Sequence, residues 1–276
     1  MTILIKDIIQ KLDLEAPFRL AEEWDNIGLL VGSPEQNVKS ILIGLDPTTL
    51  LLNEAIAKNA DTILTHHPVI FKPLSTINTS LPEGKLLQQA LSHNISIIAC
   101  HTNLDSAAAG VSDILAERLG IKALQPLIPA HDDDPQTGLG RIGQLETPVE
   151  PRQFLDKVMA VLELPTLQVA GPLPDKVQTV AVCGGSGSDF AAAALARDAD
   201  VYITAEIKHN IARWAEENNF CIIDGTHYAT EKPAVALLAD KLNGICADNG
   251  WQIRIMESET ENHPFHYIQQ TDLRSS

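Results

Sequence analysis

Two adjacent histidines, His66 and His67, are the residues whose type and spacing point most directly to chemistry. They follow residues 61–65, DTILT, which we predict to be a short buried strand, and Pro68 holds the residue before it in extended geometry. Neighbouring side chains of an extended chain point to opposite sides, so the two imidazoles can serve two different ions. The pair therefore suggests a dinuclear metal site, with capping of the strand end by hydrogen bonds as the alternative.

A carboxylate follows a second predicted strand. Residues 95–100 form an apolar run, and His101 and Asp105 come directly after it. If this strand lies parallel beside the first, Asp105 reaches the histidines from the neighbouring strand end. Alternatively, Asp105 caps a helix predicted over residues 111–119. His101 is either a ligand or a hydrogen-bond donor behind the ligands, and a donor there can relay protons.

A third predicted strand precedes a histidine and a glutamate. His227 and Glu231 are four residues apart, so a helix would place them on one face, where they can share an ion. Pro233 predicts a helix that begins near residue 230, with His227 ahead of it and Glu231 in its first turn. The same spacing is also common on ordinary helix surfaces.

Together, the three strand ends supply one set of imidazoles and carboxylates. A carboxylate can bridge two ions about 3.5–4 Å apart, and these ligands suit Zn, Mn, Fe, Co or Ni. We therefore predict a centre with two divalent metal ions. Such pairs support hydrolysis, because one ion lowers the pKa of a bound water while the other polarises the electrophile.

The composition describes a globular, acidic protein. The 276 residues are 45% hydrophobic, and 36 Asp and Glu against 20 Lys and Arg give a net charge of −16. This charge repels a phosphate backbone and argues against extended nucleic-acid binding. We expect no membrane span and no signal peptide, because the apolar runs are too short or are interrupted by charges. The cysteines are scattered and fit the reduced thiols of a cytoplasmic protein: Cys100, Cys183, Cys221 and Cys246.

The first half of the chain has the pattern of a strand-helix-strand unit. We predict strands over residues 38–45 and 61–65 with a helix over residues 47–59 between them. Such a unit pairs its strands in parallel, and ligands gather beyond the carboxyl ends of parallel strands. Residues 126–150, rich in Pro, Gly and Asp, are interpreted as a connecting segment.

The second half repeats this unit. VKSI at residues 38–41 corresponds to VQTV at 177–180, and ADTILT at 60–65 corresponds to ADVYIT at 199–204; 177 − 38 and 199 − 60 both give 139. We predict an α/β fold of two similar lobes from an internal duplication, with mixed sheets flanked by helices. The lobes would span residues 1–125 and 151–276, although the last strand can also return to the first lobe. His66 and His67 correspond to Ala205 and Glu206, so we expect one composite metal site in the cleft between the lobes.

A glycine-rich turn, CGGSGSD at residues 183–189, lies between the repeated strands. Backbone amides in such a turn can bind phosphate. The turn matches neither a Walker loop nor a full G-x-G-x-x-G, and a tight strand-to-helix turn is the favoured interpretation.

Six segments of the chain resemble the GTP cyclohydrolase 1 type 2 homologues, also called NGG-interacting-factor-three-like dinuclear metal proteins. They are WDNIGLLVG (24–32), THHPVIF (65–71), HTNLD (101–105), GLGRIG (138–143), VCGGSGS (182–188) and GTHYATE (225–231). The resemblance implies a toroidal homohexamer with its sites facing an internal cavity, Glu231 as the bridging ligand, and the ligand set His66, His67, Asp105, His227 and Glu231. AEIKHN at residues 205–210 departs from the family pattern, so no role is transferred to Glu206 or His209.

The function expected from these observations is metal-dependent hydrolysis of a nucleotide or related small molecule, with His101 as a candidate catalytic proton relay. A second hypothesis is a non-catalytic protein that binds or delivers metal and serves as a scaffold. A third is a structural metal site that locks the lobes together.

Overall fold

The computed structural model describes residues 2–131, 134–266 and 268. Within them the chain forms two mixed sheets flanked by helices, as the sequence predicts. No helix of the described part is long and apolar enough to cross a bilayer.

Strands and helices alternate along most of the chain. The first part of the chain forms α1 (Ile5–Glu15), β1 (Gly28–Val31), β2 (Ser40–Gly44), α2 (Thr49–Ala57), β3 (Thr62–Thr65), α3 (Pro82–Ser92), β4 (Ser96–Ala99), α4 (Thr102–Ser106) and α5 (Val111–Arg118). The second part forms β5 (Lys122–His131), β6 (Asp134–Val149), α6 (Pro151–Leu162), β7 (Gln168–Ala170), β8 (Val177–Val182), α7 (Ala191–Ala196), β9 (Val201–Thr204), α8 (His209–Glu217), β10 (Cys221–Asp224), α9 (His227–Glu231), α10 (Pro233–Asn249) and β11 (Arg254–Glu257). Short 3-10 turns occupy Phe18–Leu20 and Ser188–Phe190.

The first sheet has the strand order β1-β4-β3-β2-β11. Strands β4, β3, β2 and β11 run parallel, and β1 pairs antiparallel with β4. Both faces are covered: Ile41 and Ile43 of β2 pack toward α1 and α10, whereas Leu42 packs toward α2 and α3. This explains why β2 is a continuous apolar run rather than an alternating one.

The second sheet has the strand order β5-β6-β8-β9-β10-β7. Strands β8, β9 and β10 run parallel, and β7 pairs antiparallel with β10. The four strands β7-β10-β9-β8 thus repeat the arrangement β1-β4-β3-β2 of the first sheet. Helix α6 packs on one face of this sheet and α7 on the other.

The duplication extends to individual hydrogen bonds. Asp61 Oδ2 accepts from the amides of Lys39 at 2.9 Å and Ser40 at 3.2 Å. Asp200, 139 residues later, accepts at 2.8 Å from the amides of both Gln178 and Thr179. In each lobe, one carboxylate therefore ties the start of one strand to the start of the next.

The segment of residues 126–150 differs from the connection expected from its composition. It forms most of an antiparallel hairpin of β5 and β6, which completes the second sheet. The prolines account for the difference: Pro126 and Pro129 lie on β5, an edge strand, and an edge tolerates residues that cannot donate to a ladder. At the other end of the chain, β11 pairs with β2 and so lies in the first sheet.

We predict that Asp61→Ala and Asp200→Ala each reduce the free energy of unfolding by about 1.5–3 kcal/mol, because two backbone amides lose a charged acceptor. Urea unfolding measures the change. Asp156→Ala, which removes an exposed carboxylate from α6, is the control and should change it by less than about 0.5 kcal/mol. Equal stability of all three variants would contradict the equivalent role assigned to the two aspartates.

Candidate metal centre

Residues from both lobes converge beyond the carboxyl ends of three strands, β3 and β4 of the first sheet and β10 of the second. His66 and His67 follow β3, Asp105 lies on α4 after β4, and His227 and Glu231 lie on α9 after β10. Candidate ligand atoms of these residues lie within 4.8 Å of one another in overlapping groups. The structure therefore brings together every ligand position expected from the sequence.

One group contains His66, Asp105 and Glu231. His66 Nε2 lies 3.6 Å from Asp105 Oδ1 and 3.8 Å from Glu231 Oε1. A second group contains His67, His227 and Glu231. Glu231 Oε2 lies 3.0 Å from His67 Nε2 and 2.9 Å from His227 Nε2, and these two nitrogens are 3.3 Å apart.

Glu231 belongs to both groups and presents one carboxylate oxygen to each. Its side chain is only 4% exposed. Despite the short contacts, Glu231 Oε2 and His66 Nε2 are buried without an aligned hydrogen bond. Buried polar atoms are nearly always satisfied, so two such atoms in one cluster call for a partner. Imidazole nitrogens and a shared carboxylate fit a divalent cation as that partner.

A second set of contacts orients the imidazoles. The Nδ1 atoms of His66, His67 and His227 lie 2.9 Å from the Cys100 carbonyl, 2.8 Å from Asp46 Oδ1 and 2.9 Å from Glu206 Oε1, respectively. A proton on Nδ1 donated to these acceptors leaves each Nε2 lone pair free for a cation.

Asp46 and Glu206 were not identified from the sequence. Asp46 lies two residues after β2, and the strand-end rule used for the candidate ligands could have found it. Glu206 occupies the position that corresponds to His67 in the repeat. In the second lobe, the side chain at this position contacts the imidazole of His227. His209, the other residue left without a role, begins α8 and belongs to none of the ligand groups found among the described residues.

The charges of the cluster are strongly coupled. Burial alone would raise the pKa of Glu231, but His227, His66 and His67 hold it well below its usual range. Asp105 has a raised pKa, first because it is buried and also because Glu231 is close. Burial opposes protonation of His67, yet contacts with Asp46 and Glu231 raise the pKa of His67 to about 10. Burial also opposes protonation of His227, and chiefly its contact with Glu231 raises the pKa of His227 to about 9.

His101 forms a further candidate ligand group with His66 and His67, and its ring centroid lies 5.2 Å from that of His66 and 5.4 Å from that of His67. Its Nδ1 is 2.8 Å from Oδ1 of Asp25, whose side chain is fully buried. Burial would raise the pKa of Asp25, but contacts with His101 and Thr102 lower it to about 2. The sequence pattern indicates only a turn at Asp25, whereas the structure places this residue as an ionised partner of His101.

The start of the helix near Glu231 differs from the start expected from the sequence. His227 and Glu231 lie on a separate five-residue helix, and Pro233 begins the next helix, α10, rather than sharing one with Glu231. Thr226 starts α9 with φ 60° and ψ 147°, a conformation that β-branched residues rarely adopt. Its hydroxyl caps the helix by accepting from the Ala229 amide. The strained residue thus directly precedes His227, a candidate ligand.

The glycine-rich turn packs against the Glu231 carboxylate. The amides of Gly185 and Gly187 donate to hydroxyls of Thr230 and Thr204, each at 3.0 Å, which favours the tight-turn interpretation over phosphate binding. Gly185 has φ +65°, and a Cβ built there would lie 2.0 Å from Glu231 Oε1. The absent side chain makes room for Glu231.

A cavity of about 770 Å³ opens onto the cluster and is lined by both lobes. Trp24 and Phe71 of the first lobe form one wall, with ring centroids 5.7 Å apart, and Phe190 contributes from the second lobe. Trp24 is 58% exposed, so part of its ring is open to solvent at the cavity wall.

We predict that Gly185→Ala abolishes tight metal binding, because its Cβ displaces the Glu231 carboxylate and its backbone must adopt positive φ. Metal content after dialysis against Zn²⁺ measures the loss. Gly244→Ala is the matched control, because a Cβ at that helical position meets no atom within 4 Å. Retention of wild-type metal content by Gly185→Ala would contradict the place assigned to Glu231.

We also predict that metal affinity rises with pH between pH 6 and pH 9. His67 and His227 bind a cation only when neutral, and their pKa values of about 10 and about 9 mean that protons compete with the metal throughout this range. Affinity should change about tenfold per pH unit for each proton displaced. Competition against a chelator of known pH dependence measures it, and a flat profile would contradict the prediction.

Comparison with known proteins places the chain in a family. A family model described as Duf34/NIF3 (NGG1p interacting factor 3) matches residues 3–264. A Clostridium acetobutylicum protein named GTP cyclohydrolase 1 type 2 homolog is 33% identical over 267 residues, covering 97% of this chain and 100% of that protein. The Streptomyces coelicolor protein of the same name is 34% identical, covering 95% and 93%.

Solved structures agree over nearly the full length of both chains. A Bacillus cereus protein related to NIF3 has a TM-score of 0.89 at 26% identity, covering 97% of this chain and 100% of that one. Staphylococcus aureus protein SA1388 has a TM-score of 0.88 at 28% identity, covering 96% and 99%. The chain therefore belongs to the Duf34/NIF3 family, together with the proteins named GTP cyclohydrolase 1 type 2 homologues.

Proposed function

We propose that this protein binds two divalent cations and hydrolyses a nucleotide or a related small molecule. The observation that carries the proposal is the Glu231 carboxylate, which is buried between two groups of ligand atoms and offers one oxygen to each. A bridging carboxylate between imidazole-rich sites is typical of dinuclear hydrolytic centres. The names of the relatives agree with a hydrolytic reaction on a nucleotide.

Each cation would have its own ligands and share the bridge. His66, Asp105 and Glu231 would hold one, and His67, His227 and Glu231 would hold the other. Zn, Mn, Fe, Co and Ni all suit such a set. When bound, the ions would lower the pKa of a water molecule and polarise the electrophile.

His101 is the proposed proton relay. Asp25 accepts the Nδ1 proton, which fixes the tautomer and leaves Nε2 as the atom that exchanges a proton. The ring lines the cavity next to His67 and Asp105, so it stands beside the place where substrate would enter. The Asp25–His101 pair resembles the pairs of other hydrolases in which a buried carboxylate orients a catalytic imidazole.

The cavity supports a small substrate with a flat ring. Its volume of about 770 Å³ lies within the range of small-molecule sites. Trp24 and Phe71 offer aromatic faces at the wall, and a base or similar heterocycle could stack there. The homohexameric ring implied by the family resemblance remains part of the proposal.

Turnover by metal-loaded protein tests this function. Protein loaded with Zn²⁺, Mn²⁺, Fe²⁺, Co²⁺ or Ni²⁺ is incubated with a panel of nucleotides and nucleosides, and products are separated by chromatography. We expect hydrolysis that is lost in His67→Ala and Glu231→Gln, which remove a ligand of the centre. Trp24→Ala should raise KM at least fivefold with a smaller change in kcat, because it removes a binding surface and leaves the ligands in place.

Absence of activity distinguishes the alternatives. Tight binding of two cations without turnover of any substrate would overturn the hydrolase assignment and favour a metal-binding or metal-delivery protein. A sharp drop in melting temperature on metal removal, with no exchangeable ligand position, would favour a structural site. Asp156→Ala, on the surface of α6, serves as the control for all variants.

A further inference from the structure

The chain after β11 continues past the end of the first sheet toward the cluster. We call residues 258–263 the C-terminal strap. The Ser258 amide donates to the Ile43 carbonyl at 2.8 Å, so the strap starts in register with the strand β2. The strap then runs along the carboxyl end of β2, the strand that precedes Asp46.

A buried carboxylate anchors the beginning of the strap. Glu54 on α2 accepts from the Ser258 hydroxyl at 2.6 Å, the Glu259 amide at 3.0 Å and the Thr260 hydroxyl at 2.7 Å. Burial would raise the pKa of Glu54, but these donors and Lys58 lower it to about 2. The strap is therefore fixed over its first three residues.

Glu261 then holds the residue that orients His67. Its Oε1 accepts from the amides of Leu45 at 2.7 Å and Asp46 at 2.9 Å. The same two residues contact His67 directly: the Leu45 carbonyl accepts from the His67 amide at 3.0 Å, and Asp46 Oδ1 lies 2.8 Å from His67 Nδ1. One carboxylate of the strap thus fixes both the backbone and the side chain that position this imidazole.

His263 reaches the other lobe. Its Nε2 lies 3.1 Å from the hydroxyl of Thr226, and its ring packs edge-on against Tyr228 with centroids 5.5 Å apart. Thr226 caps α9 and directly precedes His227. The strap therefore contacts the supports of His67 in the first lobe and of His227 in the second lobe, through two residues that are two positions apart in sequence.

From this geometry we infer that the C-terminal strap is a latch that sets the spacing of His67 and His227, with Glu261 and His263 as positioning residues of the metal centre. The inference rests on the proposed metal centre. The two Nε2 atoms are 3.3 Å apart and come from different lobes, so a small relative movement of the lobes would separate them. Outer partners of metal ligands commonly change metal affinity by about 10–100-fold when removed.

Binding of Co²⁺ to the full-length protein tests the latch. Competition with a chelator gives the affinity, and the visible absorption of the Co²⁺-loaded protein reports the ligand geometry independently of activity. We expect Glu261→Ala to reduce the affinity for the second equivalent of Co²⁺ by about tenfold or more and to alter the absorption spectrum. Glu261→Gln should restore both, because both amides bond to one oxygen and an amide oxygen can accept them.

Controls separate the latch from general stability and from the proposed function. Glu259→Ala removes an 81% exposed carboxylate from the same strap and should leave affinity and spectrum unchanged. A folded Glu261→Ala with wild-type affinity and spectrum would overturn the latch alone, whereas wild-type protein that binds no Co²⁺ would overturn the metal centre as well. If Glu261→Ala does not fold, His263→Ala undergoes the same measurements, and an unchanged spectrum there overturns the latch.

Discussion

The buried carboxylate of Glu231 is the constraint on which the rest of this structure depends. An isolated charge in the interior is strongly unfavourable unless other charges and hydrogen bonds compensate it. In this protein the compensation comes from three imidazoles, and two of them, His66 and His67, belong to the other lobe. Docking of the lobes therefore both buries Glu231 and supplies the imidazoles that compensate its charge, so the packing of the lobes and the charge balance of the cluster depend on each other.

The supports around this carboxylate lie mostly on rigid elements. His66 and His67 leave β3, which is buried on both faces, and their Nδ1 atoms are held by a carbonyl and a carboxylate. Gly185 approaches from the glycine-rich turn and occupies the space next to Oε1. A site assembled from several strand ends in this way needs little reorganisation when a cation enters.

The sequence predicted the scaffold and the residues that converge in the cleft because both follow from local patterns. Apolar runs marked the strands, polar residues after them marked the candidate ligands, and the constant offset of 139 marked the two lobes. The supports Asp25, Asp46 and Glu206 were missed, since an acidic residue in a turn has the same local pattern whether it contacts solvent or an imidazole. The hairpin of β5 and β6, which contains most of residues 126–150, was missed because its prolines lie on an edge strand. Which strand lies at an edge depends on the whole sheet and not on the local sequence.

The correspondence between His67 and Glu206 bears on how such a site could have evolved. Two identical single-lobe subunits would have to carry the same residue at this position in each copy. A histidine that faces the cluster from one lobe and a glutamate that contacts the opposing histidine from the other require two distinct copies of the lobe, which this chain carries in one polypeptide. Two copies in one chain are not bound by symmetry, so this position can face the cluster in one lobe and support the opposing histidine in the other.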